Sequence, residues 1–64
     1  MCLAKVYNHK EETDILVADT IANIFFEEKN RIRMLDIFGE ETIVEGTLLD
    51  MDLARNIVRI VLAQ

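Results

Sequence analysis

The property that most constrains this chain is its small size combined with a near absence of cross-linking residues. It has 64 residues, one Cys and one His. A chain of this length buries only about 60% of its unfolded surface, so small domains usually need disulfides, a structural metal or oligomerisation. One Cys and one His exclude an internal disulfide and a four-ligand zinc cage. The size therefore predicts a single domain over residues 1–64 that associates, most simply as a homodimer.

The charge balance excludes several classes of partner. The formal net charge is -5 and the pI is about 4.6. General nucleic-acid binding and polybasic membrane anchoring both require a surplus of positive charge. Hydrophobic residues make up 52% of the chain, which is too many for a disordered tail. No apolar run approaches the roughly 18–20 residues of a membrane span, and no secretion signal is present, so we expect a cytoplasmic protein.

The hydrophobic pattern favours β-strands throughout. Ile, Val and Thr together contribute 17 residues, and these β-branched side chains favour strands. A polar turn is predicted at residues 8–12, a weak break at 18–20, hairpin turns at 28–30 and 38–41, and a polar connection at 50–56. Gly46 falls inside a strand, which indicates a bulge or a barrel corner. The predicted strands are residues 2–7, 13–17, 21–27, 31–38, 42–49 and 57–62.

The last segment also fits a second pattern. Leu53, Ile57, Ile60 and Val61 have the spacing of a helical stripe, but the run IVRIVL has high β propensity, so a strand is preferred. Five or six short strands with tight connections predict a small antiparallel barrel or sandwich. Side chains fill the inside of a barrel this small, so function is expected at an edge, a loop, a dimer interface or a terminus.

Cys2 is the first candidate for chemistry. A free Cys is often an inert buried residue, but this thiol lies one peptide bond from the Met1 amine. That amine, the Cys2 backbone nitrogen and the Cys2 sulfur can close two fused five-membered chelate rings on one metal ion. Nitrogen and thiolate donors suit Ni(II) or Cu(II) and not Mg(II) or Ca(II). A twofold axis near the N-terminus would bring up a second thiolate and complete the coordination shell.

The other candidates are weaker. His9, in the predicted polar turn, is too far along an extended strand to reach Cys2 except from a partner chain. Lys29, Arg31 and Arg33 form a basic cluster that is either a nucleic-acid face or a solvated hairpin paired with neighbouring glutamates. The acidic groups have no hard-metal spacing and are interpreted as solubility charge. No catalytic triad, phosphate loop or paired catalytic carboxylate is assembled, so an enzyme is not predicted.

Several segments form a recognisable pattern along the chain. The most specific is MCLAKV at residues 1–6, followed by RIR at 31–33, FGEE at 38–41, a strand containing Gly46, and IVRI at 57–60. Together these segments resemble the CooT family of small nickel-binding accessory proteins of carbon monoxide dehydrogenase. The resemblance covers nearly the whole chain. It implies a homodimeric, SH3-like or Sm-like antiparallel β-barrel of five to seven short strands. It also implies that Cys2 binds Ni(II).

The sequence therefore predicts a Ni(II)-binding accessory protein. One Ni(II) per dimer is expected at Met1 and Cys2, to be delivered to, or guarded for, an apo-metalloenzyme such as carbon monoxide dehydrogenase. The alternative is an Sm-like or SH3-like module that recognises RNA or a protein partner through Lys29, Arg31 and Arg33. RNA affinity that survives Cys2→Ser and falls on Arg31→Ala would distinguish this alternative.

Overall fold

Residues 2–63 form an all-β structure in the computed structural model, which describes those residues. Their strands pair in the ring order β1-β2-β3-β4-β5 and close into a barrel. This confirms the small barrel predicted from the strand pattern, with a strand count inside the expected range. The strands are β1 (Ala4–Lys10), β2 (Thr13–Glu27), β3 (Arg31–Asp36), β4 (Glu41–Asp52) and β5 (Ile57–Leu62).

The ring closes through one parallel pair. Each strand pairs antiparallel with the next along the chain, from β1 through β5. β1 and β5 then pair in parallel, with Val6 opposite Val58. An odd number of strands that alternate in direction can close a ring only with one parallel neighbour, so five strands dictate this seam. The last segment is a strand and not a helix, as the β propensity of IVRIVL predicted.

β2 and β4 are long because each pairs with two neighbouring strands along different parts of its length. Residues 13–21 of β2 pair with β1, whereas residues 21–27 pair with β3. Residues 41–45 of β4 pair with β3, and residues 46–52 pair with β5. The barrel therefore consists of two parts. The β1–β5 half-sheet contains β1, β5 and the adjoining segments of β2 and β4, and the β3 half-sheet contains β3 and their other segments.

Two corners join the half-sheets. At the first, Thr20 has a φ of 52°, and its backbone N–H donates to Oδ1 of Asp19 at 2.7 Å. The predicted break at residues 18–20 is therefore a bulge within one continuous strand. At the second corner β4 changes partner from β3 to β5 at Gly46, which confirms the predicted barrel corner. A Cβ at Gly46 would lie 2.5 Å from the Val61 carbonyl oxygen, so only glycine fits.

Some element boundaries differ from the predictions. β1 continues through Lys10, and the first turn contains only Glu11 and Glu12, which have φ values of 52° and 63°. Positive φ at both central residues is the geometry of a two-residue type I′ hairpin turn. β4 continues to Asp52 and includes a bulge between Leu48 and Asp50. Polar residues at these strand ends face solvent, so their polarity marks exposure and not a break in the strand.

The core lies inside the ring and is entirely apolar. In β5, Val58 and Ile60 are buried while Arg59 between them faces outward, which is the alternation that the run IVRIVL indicates. Ile32, Met34 and Phe38 would share one face of an extended strand, but Phe38 is 84% exposed. Asp36 explains the difference, because its Oδ1 accepts hydrogen bonds from the backbone N–H groups of Phe38 and Glu40 and turns the chain away. The buried core residues are Val6, Ile21, Ile32, Met34, Val58 and Ile60.

Candidate metal centre

Cys2 lies at one end of the barrel with its thiol free and exposed. It precedes β1, which begins at Ala4, so it is not part of the strand ladder. Cys2 is therefore not buried within one copy of the chain. Met1, the other predicted ligand, lies outside the described residues.

The backbone that follows Cys2 is held on both sides. Ala4 pairs with Ile21 of β2 on one side. On the other, the Lys5 N–H donates to the carbonyl oxygen of Asn56 at 3.0 Å, in the turn between β4 and β5. Asn56 adopts a φ of 58°, and its carbonyl oxygen faces β1. The start of β1 is thus paired on both sides within the barrel wall, and Cys2 lies two residues before it.

The donors available around Cys2 decide whether a metal ion could be held. Thiolates bind Ni, Cu and Zn, and binding a metal ion deprotonates the thiol. Among residues 2–63, no group of three or more His, Cys, Asp and Glu side chains could hold a metal ion. A site at Cys2 therefore fits only if backbone nitrogen, the terminal amine or a second copy of the chain supplies the remaining donors.

His9 lies at the opposite end of β1 and is not near Cys2 within one chain. It belongs to the strand and not to a turn, and it stands directly opposite Asp14 of β2. Its Nδ1 donates to Oδ1 of Asp14 at 2.7 Å. The seven residues of β1 span roughly 20 Å at about 3.3 Å per residue. The structure thus agrees that His9 could meet Cys2 only from another copy.

The basic cluster is largely neutralised by ion pairs. Arg33 donates from Nε to Glu27 at 3.0 Å and from Nη1 to Glu41 at 3.4 Å, and its guanidinium lies 4.3 Å from the Phe25 ring centroid. The hydrogen bond with Glu27 raises the pKa of Arg33 most. Arg31 also lies 3.3 Å from Glu27. Two of the three predicted cations thus face carboxylates, which is the solvated-hairpin interpretation and does not favour the RNA alternative.

A second arginine network on the β1–β5 half-sheet was missed by the sequence reasoning. Arg59 of β5 forms a two-pronged pair with Asp50 of β4, in which Nε donates to Oδ1 at 2.8 Å and Nη2 donates to Oδ2. Its Nη1 also lies 3.6 Å from Asp14, the partner of His9. The hydrogen bonds from Arg59 lower the pKa of Asp50 below its ordinary value. The predicted strand ends at residue 49, whereas a strand that continues to Asp52 places Asp50 opposite Arg59 and reveals the pair.

Comparisons with known proteins identify the family. The family described as CO dehydrogenase accessory protein CooT matches residues 1–62. The chain belongs to the CooT family. Its role is therefore that of an accessory protein and not of a catalyst, as the sequence predicted. No curated protein matches the chain.

The CooT fold is also found in a solved structure. A crystal structure assigned to CooT from Carboxydothermus hydrogenoformans superposes on this chain with a TM-score of 0.86. The match covers 98% of this chain and 100% of the other at 13% sequence identity, so it shows that the fold is shared. No helix among residues 2–63 has the length and apolar character needed to cross a membrane.

Proposed function

We propose that this CooT-family protein binds Ni(II) as cargo through Cys2 and the Met1 amine, with one ion per homodimer. It delivers nickel to, or guards nickel for, an apo-metalloenzyme of the carbon monoxide dehydrogenase type in the cytoplasm. The observation that carries the proposal is the exposed thiol of Cys2 ahead of a fixed strand in a chain of this family.

The donor chemistry explains why nickel suits this position. The Met1 amine, the Cys2 backbone nitrogen and the Cys2 thiolate are consecutive along the chain, so they close two five-membered rings without any folding of a loop. Such a nitrogen and sulfur set suits Ni(II) and leaves out hard cations such as Mg(II). A second copy of the chain supplies the remaining donor, which is another Cys2 thiolate.

Apolar turns near Cys2 support a dimer at this end of the barrel. Leu53 is 77% exposed in the turn whose Asn56 holds β1. Phe38 is 84% exposed in the turn after β3, where the Ile37 N–H donates to the Thr20 carbonyl beside the first corner. Two copies that bury these side chains against each other would remove apolar surface from water and bring the two thiols together.

Titration calorimetry with Ni(II) tests the ligand assignment. The unmodified protein should bind one ion per two chains and show thiolate-to-nickel charge-transfer absorption. Cys2→Ser should lose both signals and keep the circular dichroism spectrum of the barrel. An N-terminal extension, which moves the amine away from Cys2, should weaken binding but keep the thiolate absorption band.

His9→Gln is the matched control because it removes the one imidazole of the chain, a side chain that also suits Ni(II). It should leave affinity and stoichiometry unchanged. Undiminished Ni(II) binding by Cys2→Ser, or an equal loss in His9→Gln, would contradict the assignment.

Sedimentation measurements with and without Ni(II) test the dimer. Leu53→Glu should shift the chain towards monomer and weaken Ni(II) binding, because the second Cys2 thiolate is then lost from the site. Leu16→Glu adds the same charge at another exposed apolar residue and should leave the dimer intact. Equal dissociation by both variants would show that the charge matters and not the position.

A further inference from the structure

The second segment of β4 has an unpaired edge. Residues 46–52 pair with β5 on one side, and on the other side no strand of residues 2–63 pairs with residues 47–52. Backbone directions follow from two hydrogen bonds at the corner. The Gly46 N–H donates to Asn30 on the open side at 2.7 Å, whereas the Glu45 carbonyl accepts from Ala63 on the β5 side at 2.8 Å. Because directions alternate along a strand, the N–H and C=O of Leu48 face the open side.

An apolar cleft lies directly beside this edge. It has a volume of about 390 Å³, within the range of ligand-binding clefts, and it separates β4 from the end of the β2–β3 hairpin. Phe26 and Leu48 line it, although they are 48% and 40% exposed despite lying on the inner faces of their strands. Ile32 and Gly46 form its buried floor. The cleft is therefore the place where the barrel core opens to solvent.

The rim of the cleft carries one carboxylate that forms no ion pair within residues 2–63. Glu27 is held by Arg31 at 3.3 Å and by Arg33 at 3.0 Å, whereas Glu45 stands opposite Arg31 in the β3–β4 pair without a salt bridge. The chain as a whole carries a formal charge of -5. A segment with a positive side chain beside an apolar one would complement both the rim and the cleft.

We infer that the β4 edge at Leu48 and the adjoining cleft bind a short extended segment of a partner protein, with a large apolar side chain next to a Lys or Arg. The added strand pairs with the N–H and C=O of Leu48, its apolar side chain enters the cleft, and its cation lies near Glu45. Main-chain bonds supply affinity and the cleft supplies specificity in this mode of recognition. The bulge after Leu48 limits the segment to a few residues.

A second copy of the chain fits this edge less well. Two β4 edges related by a twofold axis would pair antiparallel and place their Asp52 ends, and hence their Cys2 residues, at opposite ends of the interface. The dimer of the proposed function requires the two Cys2 residues to meet, so it leaves the β4 edge open. In this respect alone the inference rests on that function.

Nuclear magnetic resonance titration of the ¹⁵N-labelled protein tests the inference with a capped peptide of sequence KTLTLK. The amide resonances of residues 46–51 and of Phe26 should shift, and the matched peptide ETLTLE should bind about tenfold more weakly. Two versions of KTLTLK carry N-methyl groups on alternate amides, one on the odd and one on the even residues. In one version the methyl groups replace the N–H groups that would pair with β4, so that version should not bind. No shift at residues 46–51, or equal binding of all peptides, would overturn the inference.

Two substitutions at one position separate the backbone from the side chain. Leu48→Ala shrinks the cleft wall, and Leu48→Pro also removes the outward N–H while sparing the ladder with β5. Leu48→Pro should bind KTLTLK more weakly than Leu48→Ala does, and Ile43→Ala, an exposed residue of the same strand, should bind it normally. If Leu48→Pro unfolds, the N-methylated peptides still test whether the bound segment pairs with the β4 backbone.

Further outcomes identify competing explanations. Self-association that Leu48→Ala abolishes would show that the β4 edge binds a second copy of the chain, and would overturn the inference. Cys2→Ser should bind KTLTLK as the unmodified chain does, since the edge and the thiol are independent. Failure of nickel binding and failure of peptide binding are therefore distinguishable.

Discussion

The two half-sheets share β2 and β4 but differ in the regularity of their pairing. The β1–β5 half-sheet contains three register shifts, two between β1 and β2 and one between β4 and β5. The β3 half-sheet contains one, beside Ile21, where the two half-sheets meet. Bulges increase local twist and curvature. The curvature needed for closure is therefore concentrated in the half-sheet that includes the parallel seam.

Truncation of one core residue in each half-sheet should have the largest effect. Met34 of β3 and Ile60 of β5 are both fully buried, at 0% exposure. Met34→Ala and Ile60→Ala should each lower the free energy of unfolding by about 2–5 kcal/mol, from lost burial and the cavity left behind. Urea denaturation followed by circular dichroism measures both. Two separate transitions in either variant would show that the half-sheets unfold independently.

Substitution at the Gly46 corner should have the next largest effect. In Gly46→Ala the new Cβ meets backbone atoms of Val61 and Leu62, at 2.5 and 3.1 Å, which cannot rotate away. We expect a loss of about 1–3 kcal/mol in the free energy of unfolding. Gly39→Ala is the control, because Gly39 has a φ of 84° but no atom within 4 Å of the added Cβ. It should cost only the backbone strain, about 1–2 kcal/mol.

Substitution in the turn between β1 and β2 should increase the stability of the protein. Glu11 and Glu12 both have positive φ, which Asn and Gly adopt more readily than Glu. The double variant Glu11→Asn with Glu12→Gly should therefore raise the free energy of unfolding by about 1 kcal/mol. Glu11→Gln with Glu12→Gln removes the same charges without easing the backbone. Equal gains in both variants would assign the effect to charge.

The arginine network of the β1–β5 half-sheet should produce the smallest effect, and it should depend on pH. The hydrogen bonds from Arg59 hold the pKa of Asp50 below its ordinary value. A carboxyl whose pKa is lower when folded stabilises the protein above its unfolded pKa, about 3.9, and stops doing so as the pH falls through its folded pKa. The urea midpoint of the unmodified protein should exceed that of Asp50→Asn at pH 7, and the difference should shrink below about pH 4. A constant difference would contradict this account.

The sequence predicted local features well because local chemistry decides them. The alternation in IVRIVL indicates that Val58 and Ile60 lie on the face opposite Arg59, and a glycine inside a strand indicates the corner at Gly46. Longer-range pairing was less visible. β4 extends to Asp52 because Asp50 pairs with Arg59, nine positions further along the chain. The polarity of this segment alone indicates a loop.

The candidate site was predictable in part for the same reason. The closeness of the Cys2 thiol to the terminal amine is a covalent fact, readable from the sequence. That the thiol is exposed depends on where β1 begins, which is set by the pairing of Ala4 with Ile21 and of Lys5 with Asn56. These partners lie far along the chain, so only the fold establishes them.

The parallel seam between β1 and β5 has a consequence for synthesis. β1 is made early and can pair with β2 at once, but its other flank must wait until β5 has left the ribosome. Contacts between such distant segments slow folding. During that interval the nascent chain exposes the backbone of β1 and the apolar side chain of Val6, which makes it a candidate for chaperone binding.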